Sequence, residues 1–246
     1  MTAKVAEKKA APAAKKPAAK KTPAAKKPEV SPDILIMYVI DMSGSMGGME
    51  AAVSDGFNDY IKEQSNMPGK CLVSLTLFDT EFDVRFVAHE AKKLPKMVPF
   101  TPLQMQHGEY AGCKNPYFVR GGTALRDAIG ISIKGGEEWL KNHPEFTGNV
   151  LLTVQTDGYE NSSHQFTPSE IRAMIEEKQA KGWTVVFQGG NDAWLQAADF
   201  AVAAATTQSF NSNTYAGTVA SYTSNSMGTK ALRSSGKYDT GGGTGG

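Results

Sequence analysis

The 246-residue chain predicts an α/β domain, doubly wound around a mostly parallel sheet with helices on both faces. Three observations point there. Ile34–Ile40 is a run of seven apolar residues without alternation, the pattern of a strand covered on both sides. Strand-like and helix-like segments then alternate along the chain. Finally, three apolar strands end in polar clusters: Asp41-x-Ser43-x-Ser45, Thr156-Asp157-Gly158, and Gly189-Gly190-Asn191-Asp192. In open α/β sheets the ligand crevice lies outside the carboxyl ends of the strands.

The elements follow in order. After the first strand, Met49, Val53, Phe57, Tyr60 and Ile61 share one helical face, and Asn66-Met67-Pro68-Gly69 stops that helix. Leu72–Phe78 and Phe82–Ala88 read as a hairpin joined by Asp79-Thr80-Glu81. Its second strand, alternating Phe82, Val84 and Phe86 with Asp83 and Arg85, is expected as the one antiparallel edge strand. Residues 89–119, with Pro95, Pro99, Pro102 and Pro116, read as a long irregular connection. Arg120-Gly121-Gly122-Thr123 opens a helix striped by Leu125, Ala128, Ile129, Ser132, Ile133, Gly136 and Leu140.

Val150–Gln155 is a second buried strand. Pro168 starts a helix with Ile171, Met174 and Ile175 inward, ending at Lys181-Gly182, and Trp183–Gln188 is a third buried strand. Beyond it, Ala193–Phe200 is expected to be helical and Ala201–Ala204 a short strand. Tyr215, Val219 and Tyr222 mark a last helix whose Ser/Thr-rich face is expected outward.

Charge divides the chain into parts. Residues 1–28 hold nine Lys against Glu7, a balance of +8, which leaves 17 basic and 24 acidic residues, or −7, in the rest. The repeated AAKKP and AAKK units of residues 1–32 cannot bury enough apolar surface to offset ordering entropy, so a disordered basic tail is expected. A domain then spans 33–235, and a glycine-rich flexible end covers 236–246. Lysines between residues 4 and 27 suit non-specific phosphate contact to nucleic acid; a solubilising or spacing tail, or one docking on an acidic protein, is the plainer reading. The acidic body should repel phosphate, which would confine any such contact to the tail.

Cys71 and Cys113 lie far apart and outside any CxxC pair, so free thiols in a reducing compartment are expected. The basic start has no apolar segment after it that would make a secretory signal. No apolar run approaches the roughly 20 residues that span a bilayer. A cytoplasmic protein with no membrane partner is expected.

Asp41, Ser43 and Ser45 offer oxygen donors only, which suits a hard divalent cation such as Mg²⁺ or Mn²⁺ rather than zinc. Each residue also has a plain alternative: Ser43, Ser45 and Thr123 as helix caps, Asp157-Gly158 as a turn. His89, His107, His143 and His164 are scattered without paired spacing.

Taken in order, Asp41-Met42-Ser43-Gly44-Ser45, Gly122-Thr123 and Thr156-Asp157-Gly158 resemble the metal-ion-dependent adhesion site of von Willebrand factor A domains. The resemblance covers roughly 33–235. It is nearest to bacterial and phage single-domain members, through the first helix, Leu77-Phe78-Asp79, Gly122–Ile129 and Thr156–Asn161, although Tyr159 stands where Glu is expected. It implies a Rossmann-like fold of that type. It also implies Mg²⁺ (or Mn²⁺) held directly by Ser43, Ser45 and Thr123, and by Asp41 and Asp157 directly or through water. Glu160 and Asn161 would orient these ligands. The function implied is not enzymatic: a metal-dependent protein-binding module of adhesion or scaffold type, whose open metal position accepts an Asp or Glu of a partner.

Two other readings stay on the page. The tail would make the chain a nucleic-acid-tethered adaptor. Ser43-Gly44-Ser45-Met46-Gly47 approximates a nucleophile elbow, which would make Ser45 a hydrolase nucleophile with Asp157 and His164 as partners. No Lys-bearing phosphate loop is present to support phosphoryl transfer.

Overall fold

A computed structural model describes residues 1–2, 31–190 and 193–241. The basic run 4–27 and the pair Asn191-Asp192 lie outside the described residues, as do the last five glycine-rich positions. The elements are β1 (Ile34–Asp41), α1 (Glu50–Ser65), β2 (Cys71–Phe78), β3 (Phe82–Glu90), β4 (Val98–Pro99), α2 (Pro102–Gln106) and β5 (Pro116–Tyr117), followed by α3 (Leu125–Asn142), β6 (Asn149–Thr156), α4 (Pro168–Ala180), β7 (Thr184–Gly189), α5 (Ala193–Asp199), β8 (Thr207–Ser209) and α6 (Tyr215–Ser235).

The main sheet has six strands in the order β3-β2-β1-β6-β7-β8. Every pairing is parallel except β2 with β3, so the antiparallel edge strand stands where the hairpin reading put it. From β1 the chain goes first to β2 on one side and later to β6 on the other. That reversal makes the gap between the carboxyl ends of β1 and β6 the topological switch point of the sheet.

β1 is buried along its whole length because it feeds two cores at once. Leu35, Met37 and Val39 pack with Leu125, Ile129 and Ile133 of α3 and Ile171 and Ile175 of α4. Ile34, Ile36, Tyr38 and Ile40 point the other way, onto Val53, Phe57 and Tyr60 of α1 and Tyr222 and Leu232 of α6. Burying each of these large side chains contributes about 1.5–3 kcal/mol, which is why the strand tolerates no polar residue before Asp41. α4 starts as its sequence predicts: Thr167 and Glu170 form a reciprocal capping box with Pro168 at the first helical position.

Three segments differ from expectation. The short strand is Thr207–Ser209; Ala204–Thr206 is a single 3₁₀ turn, and Ala201 sits at φ 59. The 89–119 connection is more ordered than irregular, holding a two-stranded ribbon of β4 and β5 and the capped helix α2. α6 turns its polar residues inward: Thr218, Ser221, Asn225, Ser226, Thr229 and Arg233 are buried, while Tyr215 is exposed.

Apart from Thr218, whose buried hydroxyl has no hydrogen-bond partner among the described residues, these inward groups are paired across the core. Asn225 Nδ2 donates to Tyr38 Oη at 3.2 Å, Gln155 Nε2 donates to Ser221 Oγ at 3.0 Å, and Tyr60 Oη lies 3.0 Å from Thr229 Oγ1. Tyr238, past the expected boundary at 235, closes the network by donating to Asn225 Oδ1 at 2.8 Å. α1 and α6 approach closely at Gly56, where a Cβ would lie 2.3 Å from the Tyr222 ring. Among the described residues no helix is long and apolar enough to cross a membrane.

Candidate metal centre

The switch point gathers the sequence-predicted residues. Asp41 ends β1 at 0% exposure, and its Oδ1 accepts the Ser43 backbone N–H at 2.6 Å. Its Oδ2 accepts the Thr156 hydroxyl at 2.5 Å, from the last residue of β6. Ser43 Oγ and Ser45 Oγ lie 3.0 Å apart, and Ser45 Oγ donates to Asp157 Oδ1 at 2.6 Å. The two strand ends are thereby joined through side chains.

Thr123 enters from a third segment. Its carbonyl accepts the backbone N–H of Asn161 (3.0 Å) and of Ser162 (3.2 Å). Its own N–H donates to Asn161 Oδ1 at 2.8 Å. The preceding turn is held by Gly44 N–H on the Gly121 carbonyl (3.2 Å), and Gly121 takes φ +67, which glycine alone adopts without strain.

Gly158 shows how the oxygens converge. A Cβ added there would lie 3.1 Å from Ser45 Oγ, 3.1 Å from Thr123 Oγ1 and 3.7 Å from Asp41 Oδ2. Oxygens from two segments far apart in sequence thus border one small space beside a third, kept open because residue 158 has no side chain. Together with Ser43 and Asp157 the donor set is two carboxylates and three hydroxyls, the chemistry of a hard divalent cation. Nitrogen and sulfur ligands are absent from the group, which argues against zinc.

The capping alternatives do not hold. α1 is capped at Met49 and α3 at Ala124, neither through a side chain, and Ser43 makes no capping hydrogen bond to the 3₁₀ turn Gly44–Met46. The electrostatics mark the crevice as unfavourable to its own negative charge. Burial pushes the Asp41 carboxyl up to about 6 and Asp157 pushes the same way, while hydrogen bonds from Thr156 and Ser43 oppose it. Burial likewise raises Asp157, against the Ser45 hydrogen bond.

Several supporting contacts escape sequence reading. Thr156 holds Asp41 from the neighbouring strand. Tyr117, fully buried, donates to the Asp41 carbonyl at 2.6 Å from within the 89–119 connection. Asp79, buried beneath the turn, pairs with Arg120, and its carbonyl accepts Ala124 N–H at 2.6 Å. Glu160 does not reach the hydroxyl cluster; it accepts from Arg126 N (2.8 Å), Ser163 Oγ (2.6 Å), Ser162 N (2.9 Å) and Ser163 N (2.8 Å), fixing the loop to the first turn of α3. Asp127 does the same for His164, Gln165 and Phe166 through their backbone N–H groups. Among the described residues, Ser45 Oγ bonds only to Ser43 and Asp157, and no imidazole is a partner.

No family model matches the chain, and no curated protein does. Solved structures do. The pilus adhesin SpaC from Lactobacillus rhamnosus GG aligns with a TM-score of 0.55 at 14% identity, covering 83% of this chain and 31% of that one. Proximal thread matrix protein 1 from the mussel byssus aligns at 0.50 and 13%, covering 83% and 47%. A manganese-loaded Plasmodium vivax TRAP protein aligns at 0.49 and 12%, covering 77% and 73%. The chain spans under half of the mussel protein and under a third of the adhesin. With the strand order, the first two likenesses define the class as an α/β domain with a von Willebrand factor A-like fold.

Proposed function

We propose that the chain is a divalent-metal-dependent protein-binding module of the adhesion or scaffold kind. The observation that carries this is the oxygen-lined space over Gly158, bounded by Ser45, Thr123 and Asp41 at the sheet's switch point. Ser43, Ser45 and Thr123 would hold Mg²⁺ or Mn²⁺ through hydroxyls, and Asp41 and Asp157 through carboxylates, directly or through water. Two carboxylates balance the cation's charge, so a bound ion would remain an acceptor for one further anionic oxygen, such as a partner's Asp or Glu. The Ser45 hydroxyl hydrogen is directed at Asp157 and no imidazole stands beside it among the described residues, which favours binding over nucleophilic chemistry.

The test is calorimetric titration of the chain with Mn²⁺ and Mg²⁺, beside Asp41→Ala. One saturable site in the native chain, lost in the variant, is expected. Capture of an acidic partner peptide in Mn²⁺ but not in EDTA extends the result to recognition. A native chain that takes up neither ion ends the proposal.

A further inference from the structure

At the opposite pole of the sheet the surface charge reverses. β1 spans eight residues, about 26 Å at roughly 3.3 Å each, so its two ends are well separated. At the end away from Asp41 meet the last turn of α1, the start of β2, the end of the antiparallel β3 and the segment after it. Lys62, Lys92 and Lys96 line one hollow of about 270 Å³ with Phe57, Ile61 and Leu94. Lys70 and Lys92 line an adjoining hollow of about 140 Å³, and the two share Ser65, Ala91 and Lys92.

All four lysines are exposed, and none forms an ion pair among the described residues. Lys93 beside them is paired with Glu90 at 2.7 Å. Asp59 and Glu90 also line the hollows and the Asp33 carboxylate lies against Lys70, so five lysines, Lys93 included, face three carboxylates, a local excess of +2 on a body whose total is −7.

The described chain meets this patch at Asp33 and Ile34. Lys70 N donates to Asp33 Oδ1 at 2.7 Å and its carbonyl accepts from Ile34 N at 2.8 Å, so the chain enters the domain against the patch. The loop Ala91-Lys92-Lys93-Leu94-Pro95-Lys96 also repeats the Lys-Lys-x-Pro spacing of residues 20–23.

We propose that Lys62, Lys70, Lys92 and Lys96 form a nucleic-acid phosphate-binding surface that extends the reach of the basic terminus onto the domain. Three features favour nucleic acid. The cations are ammonium groups, which act as point charges on phosphate without the bidentate forks that read bases. Lys70 lies beside Asp33, where a chain that carries nine further lysines before residue 28 enters the domain, a total of positive charge suited to a polyanion. The patch also stands at the far pole from the metal crevice, leaving both free at once. The inference is independent of the metal reading.

The test is fluorescence anisotropy of a labelled DNA duplex, in EDTA throughout, from about 50 mM to about 200 mM salt. It compares the native chain, a Lys62→Gln/Lys70→Gln/Lys92→Gln/Lys96→Gln variant, and a variant with the nine terminal lysines changed to Gln. Because all four patch side chains are exposed, thermal melts should show an intact fold. Each phosphate contact adds about 0.9 to the slope of log affinity against log salt. Patch substitution should therefore flatten the slope by about 3–4 and weaken binding at least tenfold at the lower salt. The terminal variant should keep a residual slope of that same size. Equal slopes in native and patch-substituted chains overturn the proposal. So does poly-glutamate displacing DNA charge for charge, which identifies an acidic protein as the partner.

Discussion

Ser45 and Asp157 lie 112 residues apart in sequence, yet the Ser45 hydroxyl donates to the Asp157 carboxylate at 2.6 Å. The bond crosses the gap between β1 and β6, the one place where adjacent parallel strands send their connections in opposite directions. The sheet's topology, more than local sequence, brings these oxygens together. Any residue that alters the spacing there should change cation affinity more than stability.

Gly158→Ala is the cleanest probe of that space. The new methyl would stand among Ser45 Oγ, Thr123 Oγ1 and Asp41 Oδ2, where a cation would sit, while every ligand stays in place. Mn²⁺ affinity should fall at least tenfold, which is about 1.4 kcal/mol. Because 3.1 Å contacts to two hydroxyls ask for only a small shift, the metal-free melting temperature should move by a few degrees or less. Calorimetry and thermal melts in EDTA separate the two effects.

Glu160 predicts an acid response. Burial raises its carboxyl, but hydrogen bonds from Ser163, Arg126 and Ser162 outweigh burial, so its pKa is lowered overall. A lowered folded pKa means the charged form stabilises the fold above the unfolded value and that stability is lost as pH falls through the folded one. Acidification below about pH 4.5 should therefore release the 158–167 loop from α3. Glu160→Gln should cost about 2 kcal/mol at neutral pH and flatten this dependence. Hydrogen exchange at Ser162 and Ser163 reports the release directly.

Much of this fold is legible in the sequence because it follows from apolar runs. Ile34–Ile40, Val150–Gln155 and the stripe of α3 are detected by counting hydrophobic residues. The grouping of Asp41, Ser43, Ser45, Thr123 and Asp157 is legible because these residues follow the strand ends or open a helix. α6 defeats the same method: Thr218, Ser221, Asn225, Thr229 and Arg233 recur at helical spacing but are polar, so a count of apolar residues places them outward. The partners of the last four, Tyr38, Gln155, Tyr60 and Gln64, come from distant strands and helices, and long-range pairing leaves no local signature. Tyr117, and the bond from Thr156 to Asp41, are hidden for the same reason.

Arg233 tests that polar core. It is 1% exposed, with its guanidinium donating to the carbonyls of Pro32 (2.9 Å), Gln64 (2.6 Å) and Pro68 (2.7 Å). Burial lowers its pKa, so carbonyl dipoles stand in for a counter-ion. Arg233→Ala would take a charged donor from three carbonyls and leave a void beside α1. A loss of about 3–5 kcal/mol is expected, read as a lower urea midpoint. Arg233→Lys, with three donors on one nitrogen, should recover only part of it.

Asn161 separates positioning from ligation. Its Oδ1 accepts the Thr123 N–H at 2.8 Å and the Ser162 hydroxyl at 2.6 Å, while its own N–H donates to the Thr123 carbonyl at 3.0 Å. The side chain thus fixes Thr123 within the group that borders Gly158. Asn161→Ala should weaken Mn²⁺ binding about 10–100-fold, as loss of a ligand's support does, although no ligand is removed. Thr123→Ala removes the hydroxyl itself and should weaken binding further, whereas Thr123→Ser restores an oxygen and should bind nearly as well as the native chain. If Asn161→Ala binds Mn²⁺ as tightly as the native chain while Thr123→Ala does not, the hydroxyl is placed by the Gly121–Gly122 turn alone.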